Sequence, residues 1–178
     1  MTKDQLTVDS TMEQVLDTLP GAKRALFAAY HLGGCQSCAF GNSETLAQLA
    51  GRVETNADAM LAKLLASDAH DAEMLLIPAD ARDRKNDFRW IDLRTREEHD
   101  AVKIEPSEFF TQDLQQAIFS GDPAAKILLY DHQGQNVLDQ VAWFRGHGLN
   151  ETYGLRGGID AWSREVDSSL PRYRLEIE

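Results

Sequence analysis

The sequence is poor in sulfur and in positive charge. Only two cysteines occur in 178 residues, which excludes the multiply bridged framework of small secreted domains. The 18 Lys and Arg residues stand against 29 Asp and Glu, for a net charge of -11. A chain without a basic footprint cannot displace the counterions of a nucleic acid, and the same deficit disfavours docking on anionic lipid. No apolar run approaches the length of a membrane span. The first residues, Met1-Thr2-Lys3-Asp4-Gln5, lack the basic and apolar regions of a signal peptide, so a cytoplasmic location is expected. No G-x-x-x-x-G-K-[ST] phosphate loop is present, and Gly157-Gly158 does not supply one. Internal repeats and low-complexity tracts are absent as well. With 43% hydrophobic residues, the chain can bury the core of one domain or of two small ones.

The two cysteines lie together in Gly33-Gly34-Cys35-Gln36-Ser37-Cys38. C-x-x-C spacing lets two sulfurs reach one metal or each other. The glycines leave the backbone free for a tight loop, and His31 stands four residues before Cys35. Three readings follow. The pair could act as a dithiol/disulfide or persulfide relay, with one sulfur attacking and the other resolving. It could bind zinc or an iron–sulfur cluster, which needs about four protein ligands. Cys35, Cys38 and His31 would then be completed by further thiolates across a two-fold homodimer. Or both thiols could be small, inert, buried residues.

Helical periodicity governs the first part of the chain. Thr11 and Gln14 are spaced for a capping box ahead of Met12, Val15, Leu16 and Leu19. A second helix is expected over Ala22 to Tyr30, ending at the Gly33-Gly34 stop. Asn42-Ser43 is read as the cap of a third helix carrying Leu46, Leu49 and Ala50, and Asn56 as the cap of a fourth carrying Met60, Leu61, Leu64 and Leu65. Residues 68–73 are polar and read as a linker. The pattern then alternates. Strands are expected over Met74–Ile77, Phe88–Leu93, Lys126–Tyr130 and Glu151–Leu155, with helices over Phe109–Phe119 and Val137–Gly146. Such alternation implies a mostly parallel sheet covered on both faces. The fold class is therefore a small helical domain, 1–67, followed by an α/β domain, 74–178. Trp90, Trp143 and Trp162 are assigned to packing, and His70, His99 and His147 have no supporting context.

Within the second domain, Ile91-Asp92-Leu93-Arg94 followed by Glu97-Glu98-His99, then Leu128-Leu129-Tyr130, then Tyr153-Gly154-Leu155-Arg156-Gly157-Gly158-Ile159-Asp160-Ala161-Trp162, resemble the ordered motifs of a rhodanese domain. The family's active loop reads Y-C-x-x-G-x-R-S. Here it is Tyr130-Asp131-His132-Gln133-Gly134-Gln135-Asn136-Val137. The resemblance places Asp131 at the nucleophilic cysteine, Asn136 at the arginine and Val137 at the small hydroxyl residue, with Gly134 retained. A carboxylate cannot attack sulfane sulfur and hold it as a persulfide, so the resemblance implies the fold without the family reaction. Asp131 is expected to occupy the anion site formed by the loop's backbone N–H groups. The alternative is a reshaped loop with Asp131 facing water. His132 beside Asp131 could suggest acid–base or metal chemistry, although neighbouring loop residues often point apart. The first domain resembles a family of small helical redox-disulfide domains through Val15 to Leu19, Gly33-Gly34-Cys35, Cys38 and Ser43-Glu44-Thr45-Leu46.

These readings lead to a sulfur- or redox-related protein. Cys35 and Cys38 would carry the chemistry, and the rhodanese-like domain would bind a protein partner such as a sulfur carrier or redox protein. The competing readings are a metal or iron–sulfur protein and a purely structural interaction module. If the pair is redox-active, mild oxidation should remove two hydrogens from the mass of the protein, and a dithiol should restore them. Thiols that remain titratable after oxidation would contradict the relay.

Overall fold

The computed structural model describes residues 2–33 and 39–173, so Cys35 and Cys38 lie outside the described residues. The chain divides into two compact units, Met1–Glu73 and Met74–Glu178.

The first unit contains helices α1 (Met12–Thr18), α2 (Ala22–Tyr30), α3 (Leu46–Arg52) and α4 (Ala57–Ala72). The α1 capping box forms: Gln14 N–H donates to Thr11 Oγ1 at 3.4 Å, and Thr11 N–H donates to Gln14 Oε1 at 3.0 Å. The cap of α3 is not Asn42-Ser43. Thr45 caps it through the same reciprocal pair with Gln48, at 3.2 and 2.9 Å, because Gln48 falls three residues after Thr45. Asn56 caps α4, its Oδ1 accepting from Ala59 N–H at 2.9 Å. Each such cap is worth about 1 kcal/mol. Met12, Val15, Leu19, Leu26, Leu46, Leu49, Met60 and Leu64 make the buried core.

Residues 68–72 are not a linker but the last turns of α4. Met60, Leu64 and Asp71 are the buried positions of that helix. The inward slot that helical spacing reserves for an apolar side chain is held here by a carboxylate, which hid the periodicity. Arg24 of α2 meets it at 2.7 Å.

The second unit contains five strands, β1 (Leu75–Leu76), β2 (Arg89–Asp92), β3 (Glu108–Phe109), β4 (Ile127–Tyr130) and β5 (Thr152–Leu155). They form one parallel sheet in the order β1-β5-β4-β2-β3. Helices α5 (Pro78–Asp83), α6 (Arg96–Ala101), α7 (Gln112–Phe119), α8 (Val137–Gly146) and α9 (Gly158–Glu165) complete it. Pro78 therefore does more than end β1: it opens α5 at the first helical position, where its missing N–H is no loss. Phe109 belongs to β3 rather than to the following helix, which starts at Gln112 behind a Thr111 cap.

Every β4 residue is buried, which is what a sheet covered on both faces demands. On one face Ile91, Ile127 and Leu129 pack with Val137, Val141 and Phe144. On the other, Trp90, Leu128 and Tyr130 pack with Phe88, Ile159 and Trp162. Trp90 and Trp162 meet edge to face at 5.2 Å, whereas Trp143 is 39% exposed and is not a core residue. No helix among the described residues is long and apolar enough to cross a membrane.

Both core clusters of the second unit draw only on residues from Met74 onward. A fragment beginning at Met74 should therefore unfold in one cooperative urea transition. A broad, non-cooperative loss of signal would show that the unit needs residues before Met74.

Candidate functional site

From β2 the chain continues to β3, and from β4 to β5, on opposite sides of the β2–β4 pair. The carboxyl ends of these two neighbouring strands therefore frame a crevice, the place where parallel sheets usually receive ligands. Asp92 ends β2 and Tyr130 ends β4.

Asp92 is fully buried. A buried carboxylate is costly by several kcal/mol unless donors surround it. Arg94 supplies most of them: its Nε and backbone N–H reach Oδ1 at 2.9 and 3.0 Å, and its Nη2 reaches Oδ2 at 2.6 Å. Tyr130 O–H donates to Oδ2 at 2.9 Å, and His99 Nδ1 lies 2.9 Å from the same oxygen. Burial pushes the Asp92 carboxyl up, but the hydrogen bonds from Arg94, and then that from His99, bring it below its ordinary value. Because the single Tyr130 hydroxyl proton goes to Asp92, Ser107 Oγ at 2.7 Å must donate to Tyr130. Burial and the Asp92 charge push the Tyr130 phenol up.

Arg94 extends the network outward. Its Nη2 also reaches the Val102 carbonyl at 2.6 Å, and its Nη1 donates to Tyr173 Oη at 2.7 Å. Tyr173 O–H then donates to Glu98 Oε1 at 2.6 Å. Glu98 Oε2 accepts from Thr95 N–H at 3.0 Å in the capping box of α6. Burial and the Glu98 hydrogen bond push the Tyr173 phenol up to about 12. The Tyr173 ring stacks on His132 at 4.3 Å and 12°. Its carbonyl lies 3.1 Å from His132 Nε2, and since a carbonyl only accepts, Nε2 carries the proton.

The segment after β4 curls round its own first side chain. Asp131 Oδ1 accepts from Gly134 N–H, and Oδ2 accepts from Asn136 and Val137 N–H at 2.8 and 3.1 Å. The last two donors open α8, where the helix dipole also favours a negative charge. Asp131 therefore faces its own loop and not water, and only 8% of the residue is exposed. Two glycines permit the curl. Gly134 has φ +81°, and a Cβ there would stand 2.7 Å from Gly157 N. Gly158 has φ +61°, and a Cβ there would meet the carbonyl oxygens of Asp131 and His132. Those oxygens instead accept from Ile159 and Asp160 N–H at 2.9 and 3.0 Å, at the start of α9.

The crevice opens as a cavity of about 700 Å³ lined by residues following β2, β3 and β4, among them Arg94, Glu98, Phe110, Asp131, His132 and Asn136. The structure thus brings Asp131, His132 and Asn136 to one cavity, with Gly134 shaping the loop beneath it. His132 and Asp131 point apart, one to Tyr173 and one into the loop. His31 lies in the first unit as the left-handed cap of α2, edge-on to Phe27 at 6.2 Å. Among the described residues no group of three or more His, Cys, Asp and Glu is arranged to hold a metal. Sequence reasoning missed His99 and Tyr173. The T-x-x-E spacing of Thr95 and Glu98 could have placed a helix start beside Asp92 and so turned His99 inward.

Residues 78–165 match the model of the rhodanese-like domain. A rhodanese-related protein from Thermoplasma volcanium is similar at 21% identity, covering 51% of this chain and 91% of that one, with a TM-score of 0.46. A rhodanese-like domain protein from Staphylococcus aureus is similar at 16% identity, covering 56% and 98%, with a TM-score of 0.45. A human single-domain sulfurtransferase is similar at 16% identity, covering 52% and 96%, with a TM-score of 0.44. No curated protein sequence matches the chain.

The depressed Asp92 carboxyl has a consequence for stability. Its ordinary value is 3.8 and its folded value is lower, so its contribution is complete above 3.8 and is lost as pH falls through the folded value. Asp92→Asn should flatten this acid limb in urea midpoints measured between pH 7 and pH 2. At neutral pH it should cost about 3–5 kcal/mol, because Arg94 is left buried without its counter-charge.

Proposed function

We propose that this chain, whose residues 78–165 form a rhodanese-like domain, uses that domain to bind and carries its sulfur or redox chemistry on Cys35 and Cys38. The observation that carries the reading is the Asp131 carboxylate, held by the N–H groups of Gly134, Asn136 and Val137. In the motif order of the family, Asp131 stands at the nucleophile. Sulfur transfer there needs a thiolate that attacks sulfane sulfur and then keeps the persulfide in the ring of N–H donors. A carboxylate has no such reaction, and here it fills the ring itself.

The two units then have separate roles. The C-x-x-C pair, four residues from His31, supplies an attacking and a resolving thiol. The cavity beside Asp131 receives a group from a partner, for which a sulfur carrier or redox protein is the class that suits a thiol pair.

A thiosulfate:cyanide assay tests the division. The Cys35→Ser/Cys38→Ser protein should show no turnover above background. Asp131→Cys added to it should restore little, because Asn136 and Val137 stand where the family has arginine and a small hydroxyl residue. Clear turnover by the protein lacking both cysteines would overturn the reading.

A further inference from the structure

The cavity beside Asp131 has a polarity that the loop and the buried network leave unused. Leu93 and Phe110 give it apolar walls, and the side-chain amides of Gln133, Gln135, Asn136 and Gln140 give it a polar rim. None of those four amides is hydrogen-bonded to another described residue. They are therefore free to donate to and accept from a ligand.

The charges are one-sided. Arg94 lines the cavity, but its side chain is 1% exposed and its guanidinium is committed to Asp92, Val102 and Tyr173. His132 is turned onto Tyr173. Asp131 and Glu98 also line the cavity. Their oxygens are engaged by Gly134, Asn136 and Val137 N–H, by Tyr173 O–H and by Thr95 N–H, neutral donors that leave both negative charges uncancelled, whereas the Arg94 charge is matched by that of Asp92. The backbone donors that could have gripped an anion are already taken by Asp131. An anion entering here would meet two like charges and no free ring of N–H groups. A cation would meet attraction, and the Phe110 ring could sit against an apolar stem or a guanidinium plane.

We propose that the cavity binds an organic cation, an alkylammonium or guanidinium group on a short apolar stem. The inference rests on the reading of this domain as a binding module and names its ligand chemistry. The same chemistry is offered by a free small amine and by a Lys or Arg side chain of a partner protein. Free amide groups on the rim suit the second source, because a peptide backbone carries the complementary donors and acceptors.

The test uses the full chain and backbone amide NMR signals of residues 133–136. Agmatine and the capped tripeptide acetyl-Gly-Arg-Gly-amide serve as probes, with thiosulfate as the anion. Saturable shifts with either cationic probe, weakening as salt rises, are expected. Tighter binding of the peptide would assign a protein side chain as the source, and tighter binding of agmatine a free amine. Gln140→Lys places a cation on the rim from α8 without touching the hydrogen bonds of Asp131. It should weaken binding by about tenfold or more. Cation binding unchanged in Gln140→Lys, or both cations leaving these signals in place whether or not thiosulfate shifts them, would overturn the proposal. Thiosulfate binding without turnover would leave the binding-module reading standing, whereas turnover by the cysteine-free protein would remove that reading itself.

Discussion

One buried negative charge sets the terms for the second unit. Asp92 lies at the end of a central strand with no access to water, and every group around it is placed to make that tolerable. Arg94 folds back two residues to meet it, His99 is turned inward from α6, and Tyr130 reaches it from the neighbouring strand. The geometry couples elements that are remote in sequence: the β2–α6 corner, the end of β4, Ser107 and Tyr173 share one hydrogen-bonded system. Buried polar networks are all-or-none in this sense, because losing one donor leaves another group unpaired in a low-dielectric surround.

The second carboxylate, Asp131, solves a different problem. It is the first residue after β4, and it organises the next six by accepting from three of their backbone N–H groups. The loop thus carries its anion within the chain. A loop of this shape is stable without a bound ligand, since the charge that completes it cannot dissociate.

Much of this was legible in the sequence where local rules act alone. Thr11 and Gln14 announced their capping box by spacing, and Asn56 by its place before an apolar stripe. The apolar run ending at Tyr130 read as a buried strand, and every residue of β4 is buried. The loop motif left two arrangements open for Asp131, and the folded chain adopts the one in which its carboxylate accepts from the loop's N–H groups. What escaped were places where tertiary contacts override local pattern. Asp71 in an inward slot of α4 concealed the last stretch of that helix. Phe109 sits in a two-residue strand because β2 offers it an edge, in register with Asp92, and no periodicity develops over so short a run. Tyr173 is polar-flanked and far from Arg94 in sequence, so only the folded chain brings them together.

The pairing of β1 carries a kinetic implication. Leu75, near the start of the second unit, lies in register with Gly154 of β5, and all the other strands come between them in sequence. The sheet's outer strand on that side has β5, the last strand in sequence, as its one neighbour in the sheet. Closure entropy must be met before that contact gives anything back, and parallel pairing at such separation is slow to form. Until β1 docks, a β5 already seated beside β4 has a bare outer edge. That edge is the surface most open to pairing with another chain.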